Sequence, residues 1–171
     1  IKLTPMKKIF LYVFLVLMIC NIGFAECIKG NCDNGYGTYK DFKSKGYLYI
    51  GSFKNGEPYG KGKLYRKCDL NSHTCSLWYE GQFDGVFFSG KGTQYNTSLR
   101  TADGIPGDGT LGTYIGEWSY SLKNGKGVFI EQVFIGKESK EINGITKKVP
   151  KYKDGKKIKG IWNNGMLVKV F

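Results

Sequence analysis

Apolar and polar positions alternate along this chain with a period of two, and the alternation recurs in matching sets. Tyr49-Ile50-Gly51-Ser52-Phe53, Tyr79-Glu80-Gly81-Gln82-Phe83 and Tyr114-Ile115-Gly116-Glu117-Trp118 each place an aromatic two residues before a glycine and another two after it. Eleven residues beyond each of these glycines stands the second glycine of a G-x-G, in Gly60-Lys61-Gly62, Gly90-Lys91-Gly92 and Gly125-Lys126-Gly127. Alternate residues of an extended strand share a face, so Tyr49, Gly51 and Phe53 line one side of a strand, as do their counterparts in the other two sets. Asn55-Gly56 between the halves of the first set is a strong two-residue hairpin signal, and Pro58 after it cannot donate to a ladder. Similar turn chemistry lies around Asp84-Gly85 in the second set and at Asn124-Gly125 in the third. Each set is predicted to be a β-hairpin.

Partial sets flank the three. Ile28-Lys29-Gly30-Asn31-Cys32 is followed by Gly35-Tyr36-Gly37-Thr38-Tyr39, and Ile158-Lys159-Gly160-Ile161-Trp162 by Asn163-Asn164-Gly165 and the apolar run Leu167 to Phe171. The expected hairpins cover about 28–39, 49–65, 79–95, 114–130 and 158–171. A fixed internal distance in several copies marks a stacked repeat array. The predicted fold is all-β, one elongated, twisted antiparallel sheet of stacked hairpins with the aromatic stripe as its core. Glycine inside a strand costs roughly 0.5–1 kcal/mol, so repeated glycines at one depth need a steric reason. The expected reason is a ring from a neighbouring strand or repeat lying flat over the bare backbone. The links from Gly37 to Gly51, Gly62 to Gly81, Gly92 to Gly116 and Gly127 to Gly160 lengthen along the chain. Those insertions should leave the sheet along one edge, where function concentrates.

Y-x-G-x-[FW], an Asn-Gly turn and a G-x-G together resemble the MORN (membrane occupation and recognition nexus) repeat, over about Ile28 to Phe171. The chain departs from the usual repeat in its long links and its cysteines. Exported bacterial proteins with a leader, a few such repeats and a cysteine-bearing first unit resemble it best. The resemblance implies a binding or scaffolding module without chemistry of its own.

The amino-terminal residues read differently. Met6-Lys7-Lys8, the apolar run Ile9 to Cys20 and the small residues Gly23 and Ala25 have the three parts of a secretory signal peptide. Residues 1–25 are therefore expected to be removed, leaving a domain over 26–171 that is exported to the periplasm, the outer envelope or the medium. The uncharged stretch falls short of the roughly 20 residues a bilayer needs. Glu26 before Cys27, where a small residue is wanted, speaks against a lipid anchor. Losing Lys2, Lys7 and Lys8 lowers the formal charge from +12 to about +9. Four cysteines remain, Cys27, Cys32, Cys68 and Cys75, with three pairings open in principle. The sequence-local pairs Cys27 with Cys32 and Cys68 with Cys75 are the expected disulfides. Neither spacing is the C-x-x-C of a zinc ribbon, and no metal or cofactor is expected.

Candidate chemistry is sparse. His73 is a lone histidine in a polar loop, and the acidic residues fall singly, so no nucleophile, acid or base is prepared and no enzyme is expected. The glycine-rich Asp103 to Gly109 lacks the ligand alternation of a calcium loop. The best site candidate is a basic link, Lys147, Lys148, Lys151, Lys153, Lys156, Lys157 and Lys159, opposed only by Asp154. It would suit an anionic envelope or membrane surface, or else simply keep a β-edge soluble. Nucleic acid is not the expected partner, because the aromatics are needed as core. The expected role is non-enzymatic binding or scaffolding of an unidentified protein or anionic surface, with an accessory or effector that positions a partner as the alternative. Exposed array ends leave a homodimer open.

Overall fold

The computed structural model describes residues 25–41, 46–69, 74–103, 105, 107, 109–142 and 144–171. The leader, His73 and the side chain of Cys68 lie outside the described residues. Ten strands follow in chain order: β1 (Ala25–Gly30), β2 (Gly35–Asp41), β3 (Tyr47–Lys54), β4 (Glu57–Asp69), β5 (Thr74–Asp84), β6 (Phe87–Ser98), β7 (Leu111–Ser119), β8 (Leu122–Ile142), β9 (Ile145–Asn163) and β10 (Met166–Val170). Each pairs antiparallel with its sequence neighbours in a single open sheet, leaving β1 and β10 as the edges. The architecture is the all-β stack of hairpins that the alternation predicts.

The glycines set the register. Gly37 faces Gly51, which faces Gly62, and the line continues through Gly81, Gly92, Gly116 and Gly127 to Gly160. Tyr49 folds back along its own strand, so that a methyl group added at Gly51 or Gly62 would overlap its ring. Its hydroxyl donates to Ser52 O at 3.0 Å. Tyr79 covers Gly81 and Gly92 and donates to Gln82 O at 3.1 Å, while Tyr114 covers Gly116 and Gly127 and donates to Glu117 O at 3.2 Å. The covering ring comes from the neighbouring strand, as expected, for Gly62, Gly92 and Gly127, and from two residues earlier on the same strand for Gly51, Gly81 and Gly116. In this arrangement each tyrosine reaches a carbonyl three residues ahead while lying on bare backbone.

The two glycines of each G-x-G do different work. Gly60, Gly90 and Gly125 have φ of +71°, +54° and +92° and sit where the register shifts by a bulge, a left-handed backbone that favours glycine. Committing Gly125 to the bulge displaces the third turn from Asn124-Gly125 to Tyr120-Ser121, at φ of +48° and +62°. Ser121 compensates by hooking onto β6, its N–H donating to Phe88 O and its Oγ accepting from Phe88 N, both at 3.0 Å. The first turn uses Asn55-Gly56 and the last Asn164-Gly165, with positive φ at both residues of each.

Buried apolar side chains gather on one face: Tyr49, Phe53, Tyr79, Phe83, Phe88, Tyr114, Trp118, Phe129, Ile158 and Trp162, joined by Leu99 and Leu167. Edge-to-face pairs run along this aromatic face, from Tyr49 with Phe83 at 4.9 Å to Tyr114 with Trp162 at 4.8 Å between ring centres. Connections between repeats leave from the strand ends opposite the hairpin turns, as a meander requires. The longest of them corrects the sequence reading: the basic link is no loop. β8 and β9 continue pairing as a two-stranded ribbon out to Ile142 and Ile145.

Candidate functional site

The aromatic face is covered over one half and open over the other. The connection from β6 to β7 folds back across the sheet to the last strand: Leu167 N donates to Arg100 O at 2.7 Å and Ala102 N to Leu167 O at 2.9 Å. Leu99 is fully buried beneath it, and Ile105 packs against the core. Among the described residues no such cover reaches the first two repeats. There a cleft of about 470 Å³ is lined by Tyr39, Tyr47, Tyr49, Leu64, Trp78, Phe83 and Phe88, among others. Tyr47 stacks on Trp78 at 5.9 Å, Trp78 meets Phe88 edge-on at 5.5 Å, and the Arg66 guanidinium lies 5.1 Å from the centre of the Trp78 ring. A concave aromatic surface with a few polar groups at its rim is the usual form of a binding site.

Trp78 reaches the cleft through an irregularity that alternation does not reveal. As the neighbour of the inward Tyr79 it should face outward. The register slips between Leu64/Tyr79 and Tyr65/Leu77, leaving Trp78 as the extra residue of a bulge and free to join the aromatic side.

Lys123 is the buried cation of the covered half, 6 % exposed. Its ammonium donates to Thr97 Oγ1 at 3.0 Å and to Ser98 O at 2.8 Å and lies 5.4 Å from the Tyr114 ring centre. Burial, and then the charge of Arg100, bring its pKa down to about 8. Burial pushes the phenols of Tyr49, Tyr79 and Tyr114 the other way, above their ordinary value. Sequence reading missed Lys123, although its signal was present: pairing with Trp118 gives it the place that Pro58 and Phe88 hold opposite Phe53 and Phe83.

The seven lysines proposed from sequence do not form one cluster. Along the ribbon, alternation sends Lys147, Lys151 and Lys153 to the side continuous with the aromatic face, and Lys148, Lys157 and Lys159 to the reverse side. Lys156 lies in a bulge with its N–H donating to Glu131 Oε2 at 3.3 Å, and Lys151 pairs with Glu138 at 3.3 Å. Twelve residue steps of strand spread the set over about 40 Å. Between the lysines stands a cross-strand aromatic pair, Phe134 and Tyr152, with ring centres 5.8 Å apart and both exposed. Cys27 and Cys32 form a disulfide, S–S 2.08 Å, tying β1 to the turn before β2. Cys75 is also disulfide-bonded. The repeat-defining Tyr49, Gly51, Phe53, Gly60, Gly62, Tyr79, Gly81, Phe83, Gly90, Gly92, Tyr114, Gly116, Trp118, Gly125, Gly127, Gly160 and Trp162 all belong to the sheet core or its bulges.

A sheet of tyrosine-on-glycine hairpins defines a class of repeat scaffold, and comparison with known families agrees on which one. The MORN repeat family matches at residues 49–67 and 114–130, so the chain carries MORN repeats there. The unit at 79–95 lies outside those two matches and has the same register and ring. No curated protein matches the chain. MORN repeats suggest a binding or scaffold role, and proteins built on them are generally non-catalytic.

Proposed function

We propose that the chain is a non-enzymatic scaffold that holds a protein partner on the open half of its aromatic face. The observation that carries this reading is the contrast between the two halves: the same aromatic face is covered by the chain's own Leu99 and Ile105 at one end and left as a cleft around Tyr47 and Trp78 at the other. Leaving such rings in water is unfavourable by about 25 cal/mol per Å² of apolar area, so an occupant that removes them from water gains that term. Trp78→Ala and Tyr47→Ala, each at a partly exposed position, should abolish partner capture while leaving the sheet folded. Partner capture that survives both substitutions would rule out the cleft.

Export is part of the same proposal. It is supported by the leader-like residues 1–25 and by the disulfide chemistry of Cys27, Cys32 and Cys75, which suits an oxidising compartment. Fractionation of cells expressing the full chain tests it: the expected product lacks the leader and has no free thiols outside the cytoplasm, and a full-length cytosolic product with reactive thiols would contradict it.

A second reading rests on the ribbon. Exposed Phe134 and Tyr152 among lysines form an amphipathic element of the kind that settles on an anionic bilayer surface, each lysine near that surface contributing up to about 1 kcal/mol. Phe134→Ser with Tyr152→Ser should then weaken binding to vesicles containing anionic lipid. Equal binding by the variant and the parent chain would dismiss the ribbon as a membrane element.

A further inference from the structure

The reverse face of the sheet carries a regular row of cations that neither the cleft nor the ribbon uses. The middle residue of all three G-x-G triplets at the eleven-residue spacing is lysine: Lys61 on β4, Lys91 on β6 and Lys126 on β8. Gly62, Gly92 and Gly127 face the tyrosine rings, so alternation turns these lysines to the opposite side, where all three are exposed. Lys61 faces Gln82 and Lys91 faces Glu117. Both partners reach on to the next strand, Gln82 Oε1 accepting from Lys91 N and Glu117 Oε2 from Lys126 N, each at 2.9 Å. The transverse row therefore runs Lys61, Gln82, Lys91, Glu117, Lys126, with cation and acceptor on alternate strands. At about 4.8 Å per strand spacing, the cations recur every 10 Å or so.

Two adjoining hollows of about 560 and 650 Å³ flank this row and share Glu80, Gly81 and Lys91 at their junction. Their charged lining is five lysines, with Lys63 and Lys159 added to the row, against Glu80 and Glu117. Glu80 is taken by Lys63 at 3.1 Å, and among the described residues Lys61, Lys91 and Lys126 have no carboxylate within ion-pair range.

We propose that this row binds a linear acidic polysaccharide in which a charged sugar alternates with a neutral one. Such a chain repeats its anion at the length of two sugar rings, which is the spacing of the lysines, and the hydroxyls of the intervening sugar meet the acceptors Gln82 and Glu117. A polyphosphate, charged at every unit, would set anions against Glu117 and Glu80. A single-stranded nucleic acid needs an aromatic platform for successive bases, whereas the aromatics of the two hollows are Tyr36 in one and Phe171 in the other, and the surface between Lys91 and Lys126 offers Thr93, Ile115 and Val128.

Hyaluronan oligosaccharides, with one carboxylate per disaccharide, titrated calorimetrically into the full chain at several salt concentrations test the proposal. Affinity should rise with length until the oligosaccharide spans Lys61 to Lys126, about 19 Å over four strand spacings, and then level off. The triple variant Lys61→Gln/Lys91→Gln/Lys126→Gln should lose about tenfold or more in affinity, and its slope of log K against log salt should fall by about 2. Lys61→Arg/Lys91→Arg/Lys126→Arg should retain binding. Lys29→Gln/Lys54→Gln/Lys140→Gln, with the same change in charge placed elsewhere, should behave as the parent chain. The proposal is overturned by an absence of binding, by affinity independent of length, by equal affinity of the row variant and the parent, or by equal loss in the charge-matched variant. Tighter binding of polyphosphate or of an oligonucleotide of equal charge overturns it too.

Discussion

At the scale of single residues, the glycines that look alike in sequence are separated by what lies over them. Gly62 sits beneath Tyr49, while nothing lies within 4 Å of a methyl group added at Gly60. Gly62→Ala should therefore cost several kcal/mol, by overpacking against a buried ring, whereas Gly60→Ala should cost only the left-handed penalty of about 1–2 kcal/mol. Urea unfolding of the two variants checks the order, and equal losses would show that the ring does not rest on Gly62. The spacing made both glycines legible as structural, but not this division, because the bulge that distinguishes them arises from pairing between strands. Lys123 gives a second residue-scale test. Its folded pKa of about 8 lies below the ordinary 10.5, so the unfolded chain binds more protons between these values and stability should rise with pH from about 8. The buried tyrosines act oppositely: their raised folded values make the unfolded chain lose protons first above pH 10, so stability should fall there. Melting temperatures from pH 7 to 12 should pass through a maximum near 10, and Lys123→Met should remove the rise but not the fall. A rise that persists in Lys123→Met would mean that Lys123 is not its source.

Among the elements, hairpin turns and strand faces were readable from two-residue chemistry and period-two alternation, and the connections were not. Asn55-Gly56 and Asn164-Gly165 turn where their residues demand it. The third turn fell to Tyr120-Ser121, a pair without glycine, because Phe88 on the neighbouring strand supplies the hydrogen bonds that hold it. The lysine-rich segment, so polar that it reads as a loop, continues as strand because its partners lie directly across the ribbon. Its outer half packs on little besides itself. Removing residues 134–152 and closing the ribbon with Asn-Gly should change the unfolding free energy by less than about 1 kcal/mol. Calorimetry of the shortened chain checks this, and a large loss would mean that the ribbon supports the sheet. The Cys27–Cys32 disulfide closes a short loop at the other end. Replacing both cysteines with serine should cost about 2 kcal/mol on the chain-entropy account and should loosen β1 first, read as faster amide exchange in Ala25–Gly30.

For the whole molecule, regularity and function are divided. The glycine line and its tyrosines build a sheet in which every repeat looks the same, and the differences come from what the connections do: one folds back over the second half, one extends as a ribbon, and among the described residues none reaches the cleft of the first half. The sequence announced the scaffold through its constant spacing and pointed to the longest link. It concealed the cleft, because Trp78 enters it through a bulge and because the cover that carries Leu99 and Ile105 is fastened to β10 by long-range bonds of Arg100 and Ala102 to Leu167, without local signature. The open aromatic half is proposed as the binding surface. Panning a random peptide library against the full chain, and measuring the selected peptides on the parent, Trp78→Ala and a covered-half variant, Ile105→Ala, tests it most directly. Selected peptides should bind the parent and Ile105→Ala alike and lose at least tenfold on Trp78→Ala. Peptides indifferent to Trp78, or dependent on Ile105 instead, would contradict it.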